Sequence, residues 1–171
     1  MAVPYNPKAI ANYFLSRRKQ RDLKPVTQMK LHKLVYFAHG WHLALWEKPL
    51  IDEMVEAWEY GPVVPTLYHE FKEYGANEIP RLATDWDPDS MDWYISHGID
   101  ASDTVLPKFL DRIIAVYGNR SAVKLSALTH VDGSPWKLTV EKHLGIRHVD
   151  IPNELIQAYF KGKLSRNREP R

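Results

Sequence analysis

The sequence predicts a mostly α (α+β) protein, a compact single-domain helical bundle around a central hydrophobic helix with one small β-hairpin. Three observations predict it. The run from Gln28 to Trp46 is apolar around nearly its whole circumference, which is the pattern of a helix enclosed by other elements. Leu110, Ile113, Ile114 and Tyr117 follow the spacing of a half-buried surface helix. Val55 to Glu59 alternates over a few residues, as a short strand does. The 171 residues are 44% hydrophobic and 26% charged, enough to bury one core and too few for two ordinary domains. We therefore expect a single domain over 1–162 and a polar, basic C-terminal tail over 163–171.

In chain order, Asn6-Pro7 reads as a helix start, because Asn6 can cap the free amides and Pro7 is preset for a first turn. Ile10, Tyr13 and Phe14 then share a face, and the polar stretch from Ser16 to Lys24 followed by Pro25 ends the helix. Thr27 caps the central helix. At about 100° per residue, Leu31, Leu34, Val35, Ala38, His42 and Leu45 make one stripe of that helix, and His32, Tyr36, His39, Leu43 and Trp46 make a second. Phe37, Gly40 and Ala44 lie on a third side beside Lys33.

Pro49-Leu50-Ile51 and Val55 to Glu59 are read as the two arms of a hairpin around Asp52-Glu53, with Val55 and Ala57 on the face opposite Trp58. Gly61-Pro62 is read as its break. Pro65 restarts a helix that turns Leu67, Tyr68, Phe71 and Tyr74 inward and ends at Gly75. Residues 76–106 keep no sustained period and are rich in Asp, so an irregular or partly extended excursion is expected. Pro107 opens the next helix, which stops at Gly118, and Ser121 to His130 forms another. Asp132-Gly133-Ser134-Pro135 is a turn before Trp136. Pro152 opens a last helix through Leu155, Ile156, Tyr159 and Phe160, and the charged tail after Gly162 is expected to fray.

Composition removes several kinds of chemistry. With no cysteine, disulfides, thiolate zinc sites and cysteine nucleophiles are excluded, and a reducing cytoplasm fits. Met1 to Leu15 is interrupted by Pro4, Asn6, Pro7, Lys8 and Asn12 where an export signal needs an apolar run, and no stretch reaches the ~18 apolar residues of a membrane span. A cytoplasmic protein off the membrane is expected. A net charge of +2 argues against a dedicated polyanion binder. Its basic residues do cluster, at Arg17, Arg18, Lys19 and Arg21 and again from Lys161 to Arg171.

Candidate reactive groups fare no better. His39 and His42 have spacing that suits two ligands of one metal, but a third ligand is missing, and His69-Glu70 lacks the second His of the HExxH pattern. Asp52, Glu53 and Glu56 flank a turn, where exposed acids are ordinary. His130, Asp132 and Ser134 hold the letters of a triad in adjacent turn residues, a setting that rarely gives its geometry. The sequence thus predicts no catalytic residue, no metal and no cofactor. What a generic core explains least is the aromatic density at Trp41, Trp46, Trp58, Tyr60, Tyr68 and Trp136, since Trp and Tyr also anchor protein interfaces.

The string from Lys30-Leu31-His32-Lys33-Leu34-Val35-Tyr36-Phe37-Ala38-His39-Gly40-Trp41 through Pro49-Leu50 to Glu56-Ala57-Trp58-Glu59-Tyr60-Gly61-Pro62-Val63-Val64-Pro65 resembles the Panacea domain of SocA-like and GepA-like proteins. Leu125-Ser126-Ala127-Leu128-Thr129-His130 with Ser134-Pro135-Trp136 is similar to a second block of that family. The likeness spans about Ile10 to Phe160, with His32 standing where the family commonly has Gln. It implies a non-catalytic antitoxin of a bacterial or prophage toxin-antitoxin system, whose partner is a cognate toxin. It also implies two open routes, direct neutralisation by binding or delivery of the toxin to the ClpXP protease. With the aromatic reading, it makes Tyr36, His39, Trp58, Tyr60, Tyr68 and Trp136 the expected partner-binding set. The alternative is a DNA-associated regulator that autorepresses its operon through the basic segments.

Overall fold

The computed structural model describes residues 4–18, 23–144, 146 and 148–166. Lys19, Arg21 and the basic residues beyond Arg166 lie outside the described residues. Among the described residues the fold is mostly α with a smaller β component, and none of its helices is long and apolar enough to cross a membrane.

Helix α1 spans Pro7–Ser16, and the Asn6 Oδ1 accepts the Lys8 amide at 2.8 Å. Helix α2 spans Gln28–Trp46, with the Thr27 hydroxyl accepting the Lys30 amide at 3.3 Å. Glu47, in the left-handed region at φ 57°, ends it by returning its N–H to the Leu43 carbonyl. Fifteen of its residues are buried, including all three of Lys30, His32 and Lys33. Leu45, placed by periodicity on an inward stripe, is 47% exposed instead, while Leu43 and Ala44 beside it are buried. The central position is otherwise as the pattern requires: α1, α3 (Pro65–Phe71), α4 (Val105–Tyr117), α5 (Ala122–Thr129) and α7 (Asn153–Arg166) all pack on α2.

The small sheet differs from the expected hairpin. Strand β1 (Val55–Trp58) pairs not with Leu50-Ile51 but with β2 (Gly61–Val63) and, on its other edge, with β5 (Val149–Ile151). Gly61 reaches φ 102°, a conformation that glycine reaches without strain, so the chain reverses at Glu59-Tyr60 and Gly61-Pro62 becomes a strand rather than a break. Pro62 opposite Ala57 is tolerated because β2 is an edge strand, where a missing N–H costs no ladder bond. Ile51 instead bridges Tyr5 in parallel, and the Tyr5 amide donates to the Leu50 carbonyl at 2.8 Å. As read from the alternation, Val55 and Ala57 point inward and Trp58 stays on the other face.

The excursion from 76 to 106 contains a second hairpin, β3 (Thr84–Asp87) against β4 (Asp92–Ile95). Its base is tied to α1, where the Asn12 side chain accepts from the Ala83 amide at 2.6 Å and donates to the Ala83 carbonyl at 3.1 Å. Glu70, Lys8, Arg81 and Asp85 join in one ion-pair cluster beside it. Helix α4 begins at Val105 rather than Pro107, because the Asp103 carboxylate accepts the amides of Val105 and Leu106, each at 3.0 Å. After the expected turn at Asp132-Gly133, residues Pro135–Lys142 form helix α6, an element not anticipated from the sequence, capped by the Ser134 hydroxyl on the Lys137 amide. Helix α7 does not fray at Gly162 but continues to Arg166.

Candidate functional site

The β1–β2 turn, the outer face of β1 and the start of α6 enclose a groove of about 820 Å³ alongside the first turns of α2. Trp58, Tyr60, Tyr68 and Trp136, four of the six residues expected to bind a partner, line it together. The walls are largely hydrocarbon and aromatic ring. The Trp58 ring stacks on His148 at 4.0 Å and 5°, and leans on Tyr68 at 4.6 Å and 54°. Its Nε1 donates to the Glu56 carboxylate at 2.7 Å. The Trp136 Nε1 donates to the Trp58 carbonyl at 2.8 Å, and its ring lies 3.9 Å from that of His130. The Ser126 hydroxyl donates to the Tyr60 carbonyl at 2.9 Å, which fixes the turn while the Tyr60 side chain stays 62% exposed.

Tyr36 and His39 are not at this groove. They are 2% and 0% exposed, on the side of α2 that receives α7, so neither presents a surface to a partner. Tyr36 packs edge-on against Phe160, and the His39 Nε2 pairs with the Asn153 amide oxygen at 2.8 Å. Both belong to the core because a helix enclosed on every side has no rim at mid-length. Phe37 and Trp41 likewise serve packing: Phe37 stacks on Tyr117 at 4.3 Å, and the Trp41 Nε1 donates to the Tyr117 hydroxyl at 2.9 Å.

Two groove residues escaped the sequence reading. Lys33 is 1% exposed, and its Nζ donates to the Pro62 carbonyl at 3.0 Å. Burial brings its pKa down to about 7. His32 is 3% exposed; its Nδ1 accepts the Val64 amide at 3.2 Å, and its Nε2 has no partner. Burial, reinforced by the Lys33 charge, lowers its pKa to about 3, so the ring is neutral. The signal in the sequence was weak: His32 and Lys33 share the first half of α2 with Gln28 and Lys30, and nothing in residue type separates them. Gly61 makes room for Lys33: a Cβ there would fall 2.6 Å from the Thr129 hydroxyl and 2.8 Å from the Lys33 Cε.

The reactive candidates are occupied otherwise. The His42 Nδ1 donates to the Lys48 carbonyl at 2.6 Å, away from His39, and no group of three His, Cys, Asp or Glu among the described residues is placed to hold a metal. Ser134 donates to the Thr129 carbonyl while the His130 Nδ1 faces the Ser126 carbonyl, so Ser134, His130 and Asp132 form no triad. Glu53 accepts the Thr66 amide at the start of α3. Of the basic cluster, Arg17 is spent on Tyr13 and Asp111. The arrangement can grip a surface.

Comparison with known proteins shows the family. The family described as "Antitoxin SocA-like, Panacea domain" matches residues 31–137, a span that includes His32, Lys33, Trp58, Tyr60, Tyr68 and Trp136 of the groove. Antitoxin SocA of Caulobacter vibrioides (strain NA1000 / CB15N) is 32% identical over 134 residues, covering 75% of this chain and 67% of that protein. No solved structure matches the chain.

Proposed function

The chain belongs to the Antitoxin SocA-like, Panacea domain family, and from that premise we propose that it is the antitoxin of a bacterial toxin-antitoxin system, acting by seating part of a cognate toxin in the aromatic groove. The family is not enzymatic, and neither is this chain. The single observation that supports the groove as the docking surface is the convergence of Trp58, Tyr60, Tyr68 and Trp136 around one open concavity. Exposed aromatics held on a rigid frame are the commonest anchors of protein interfaces, and a few of them carry most of the binding energy. Direct occlusion needs no further component: a toxin held across this groove has part of its surface covered.

The test is co-expression with the toxin encoded beside this protein. Tyr60→Ala with Tyr68→Ala should abolish growth rescue, since loss of an anchor weakens binding by about 2 kcal/mol or more, roughly 30-fold for each. Tyr60 is mostly exposed and Tyr68 is half-buried against Trp58, so a melting curve checks that the double variant folds. Undiminished rescue by a folded double variant removes these residues from the site. Rescue that persists in a host lacking ClpXP separates occlusion from protease delivery.

A further inference from the structure

We propose that the groove selects a carboxylate: an acidic side chain in the docked toxin segment, flanked by apolar residues, is held by Lys33 and His32 on the groove floor. This rests on the reading of the groove as the toxin-docking surface. Lys33 carries three N–H donors and gives one of them to Pro62. Among the described residues no carboxylate lies within ion-pair distance of its Nζ. A buried cation without a counter-ion is costly by several kcal/mol, whereas a Met of similar length would fill the space freely. The arrangement leaves a positive site awaiting an anion.

His32 supplies the second donor. Because its Nδ1 accepts the Val64 amide and the ring is neutral, the proton sits on Nε2, which is buried and unpartnered. One donor from each residue suits the two oxygens of a carboxylate. Trp58, Tyr68 and Trp136 partly shield the floor from water, and there one cation balances one negative charge. A phosphate dianion would leave a charge uncompensated. The one carboxylate in the lining, Glu59, is on the exposed turn.

The acid also couples to protonation. With the Lys33 pKa brought to about 7 in the free protein, a bound carboxylate favours the charged form, so binding takes up a proton above that pH. Affinity for an acid should then fall by up to about tenfold per pH unit above neutrality, and affinity for the matching amide should not. Among the described residues, the other ionisable groups around the floor are His32, Glu59, Tyr60, Tyr68, His130 and His148.

The experiment titrates the full chain with indole-3-acetate, indole-3-acetamide and inorganic phosphate, following the His32 ring and Lys33 side-chain NMR signals at about pH 6 and about pH 8.5. The acid should shift both residues and bind roughly tenfold or more tighter than the amide at the lower pH. That preference should shrink at the higher pH and vanish in Lys33→Met, whose fold is checked by its melt. The wild-type comparison of acid with amide stands even where the variant fails to fold. Equal binding of acid and amide, no binding of either, shifts confined to other residues, or phosphate outcompeting the acid would each overturn the carboxylate site. A chain that prefers the acid yet gives no rescue in co-expression overturns the toxin reading instead.

Discussion

Gly40 sits in the middle of α2, where glycine costs about 1 kcal/mol relative to alanine, so its use there calls for a reason. The reason is Phe160. A Cβ on residue 40 would stand 2.3, 2.5 and 2.7 Å from three atoms of the Phe160 ring, against the ~3.5 Å or more that carbon atoms require. The ring would have to retreat by more than about 1 Å. It is fully buried and edged by Tyr36 at 6.0 Å, Phe37 at 6.3 Å and Trp41 at 5.1 Å, so no empty space receives it. Overpacking of this kind costs about 3 kcal/mol at the upper end of its usual range, and the helix-propensity gain offsets about 1. Gly40→Ala should therefore destabilise by about 2 kcal/mol and lower the Tm by roughly 4–8 °C. Far-UV circular dichroism in urea and on heating measures both. Phe160→Ala alone should cost about 3–5 kcal/mol, but adding Gly40→Ala to it should restore up to about 1, because the new methyl enters vacated space. A cycle in which Gly40→Ala has the same effect with and without the ring, or raises the Tm of the wild type, would refute the close approach of α7 to α2.

Acid should unfold the protein early. Burial lowers the pKa of His32 to about 3 and of His39 to about 4, so below the unfolded value near 6.5 the unfolded chain takes up protons that the fold refuses. Stability present above pH 6.5 should be lost as pH falls, by about 2 kcal/mol for each of the two histidines at pH 5. A urea midpoint unchanged between pH 7 and pH 5 would contradict this, and His39→Gln should flatten the slope. Lys30→Met should destabilise by roughly 2–4 kcal/mol, since the Lys30 Nζ donates to the carbonyls of Lys24 at 2.8 Å and Gly118 at 2.7 Å, and both contacts would be lost. A melt within error of wild type would show those bonds to be dispensable.

How much of this was legible in the sequence follows from element length. Helix α2 reads from Gln28 to Trp46 because nineteen residues give both a cap signal at Thr27 and a circumference to inspect. The three-residue strands β2 and β5 carry no measurable period, and β5 joins β1 across more than ninety residues of chain, a pairing that no local signal encodes. Gly61-Pro62 was informative, but its meaning depended on φ at Gly61 and on β2 being an edge. The aromatic corner at Trp58, Tyr60, Tyr68 and Trp136 could be picked out by residue type alone. Tyr36 and His39 could not be excluded that way, because periodicity says that α2 is enclosed without saying which element covers which stripe. The polar floor was hidden for the opposite reason: Lys33 and His32 look like ordinary breaks in an apolar pattern until their exposure is known.

The two lysines on α2, three residues apart, show how burial can serve different ends. Lys30 gives two hydrogen bonds to carbonyls at the end of α4 and in the segment before Pro25, where the negative end of a helix dipole also favours a cation. It is a clamp, and its burial is repaid within the fold. Lys33 has one carbonyl, no acid and an open groove above it, so the same chemical group one turn along is left under-satisfied. Around it the aromatic frame is already tied down, Trp136 to the Trp58 carbonyl, Trp58 to Glu56 and the Tyr60 backbone to Ser126. A partner meeting such a frame has little ordering left to impose, and its binding energy goes into contacts rather than into fixing side chains. Rigid walls over an unsatisfied floor favour a segment that brings both hydrocarbon and one negative charge, and an all-apolar segment would have to cover the Lys33 ammonium without answering it.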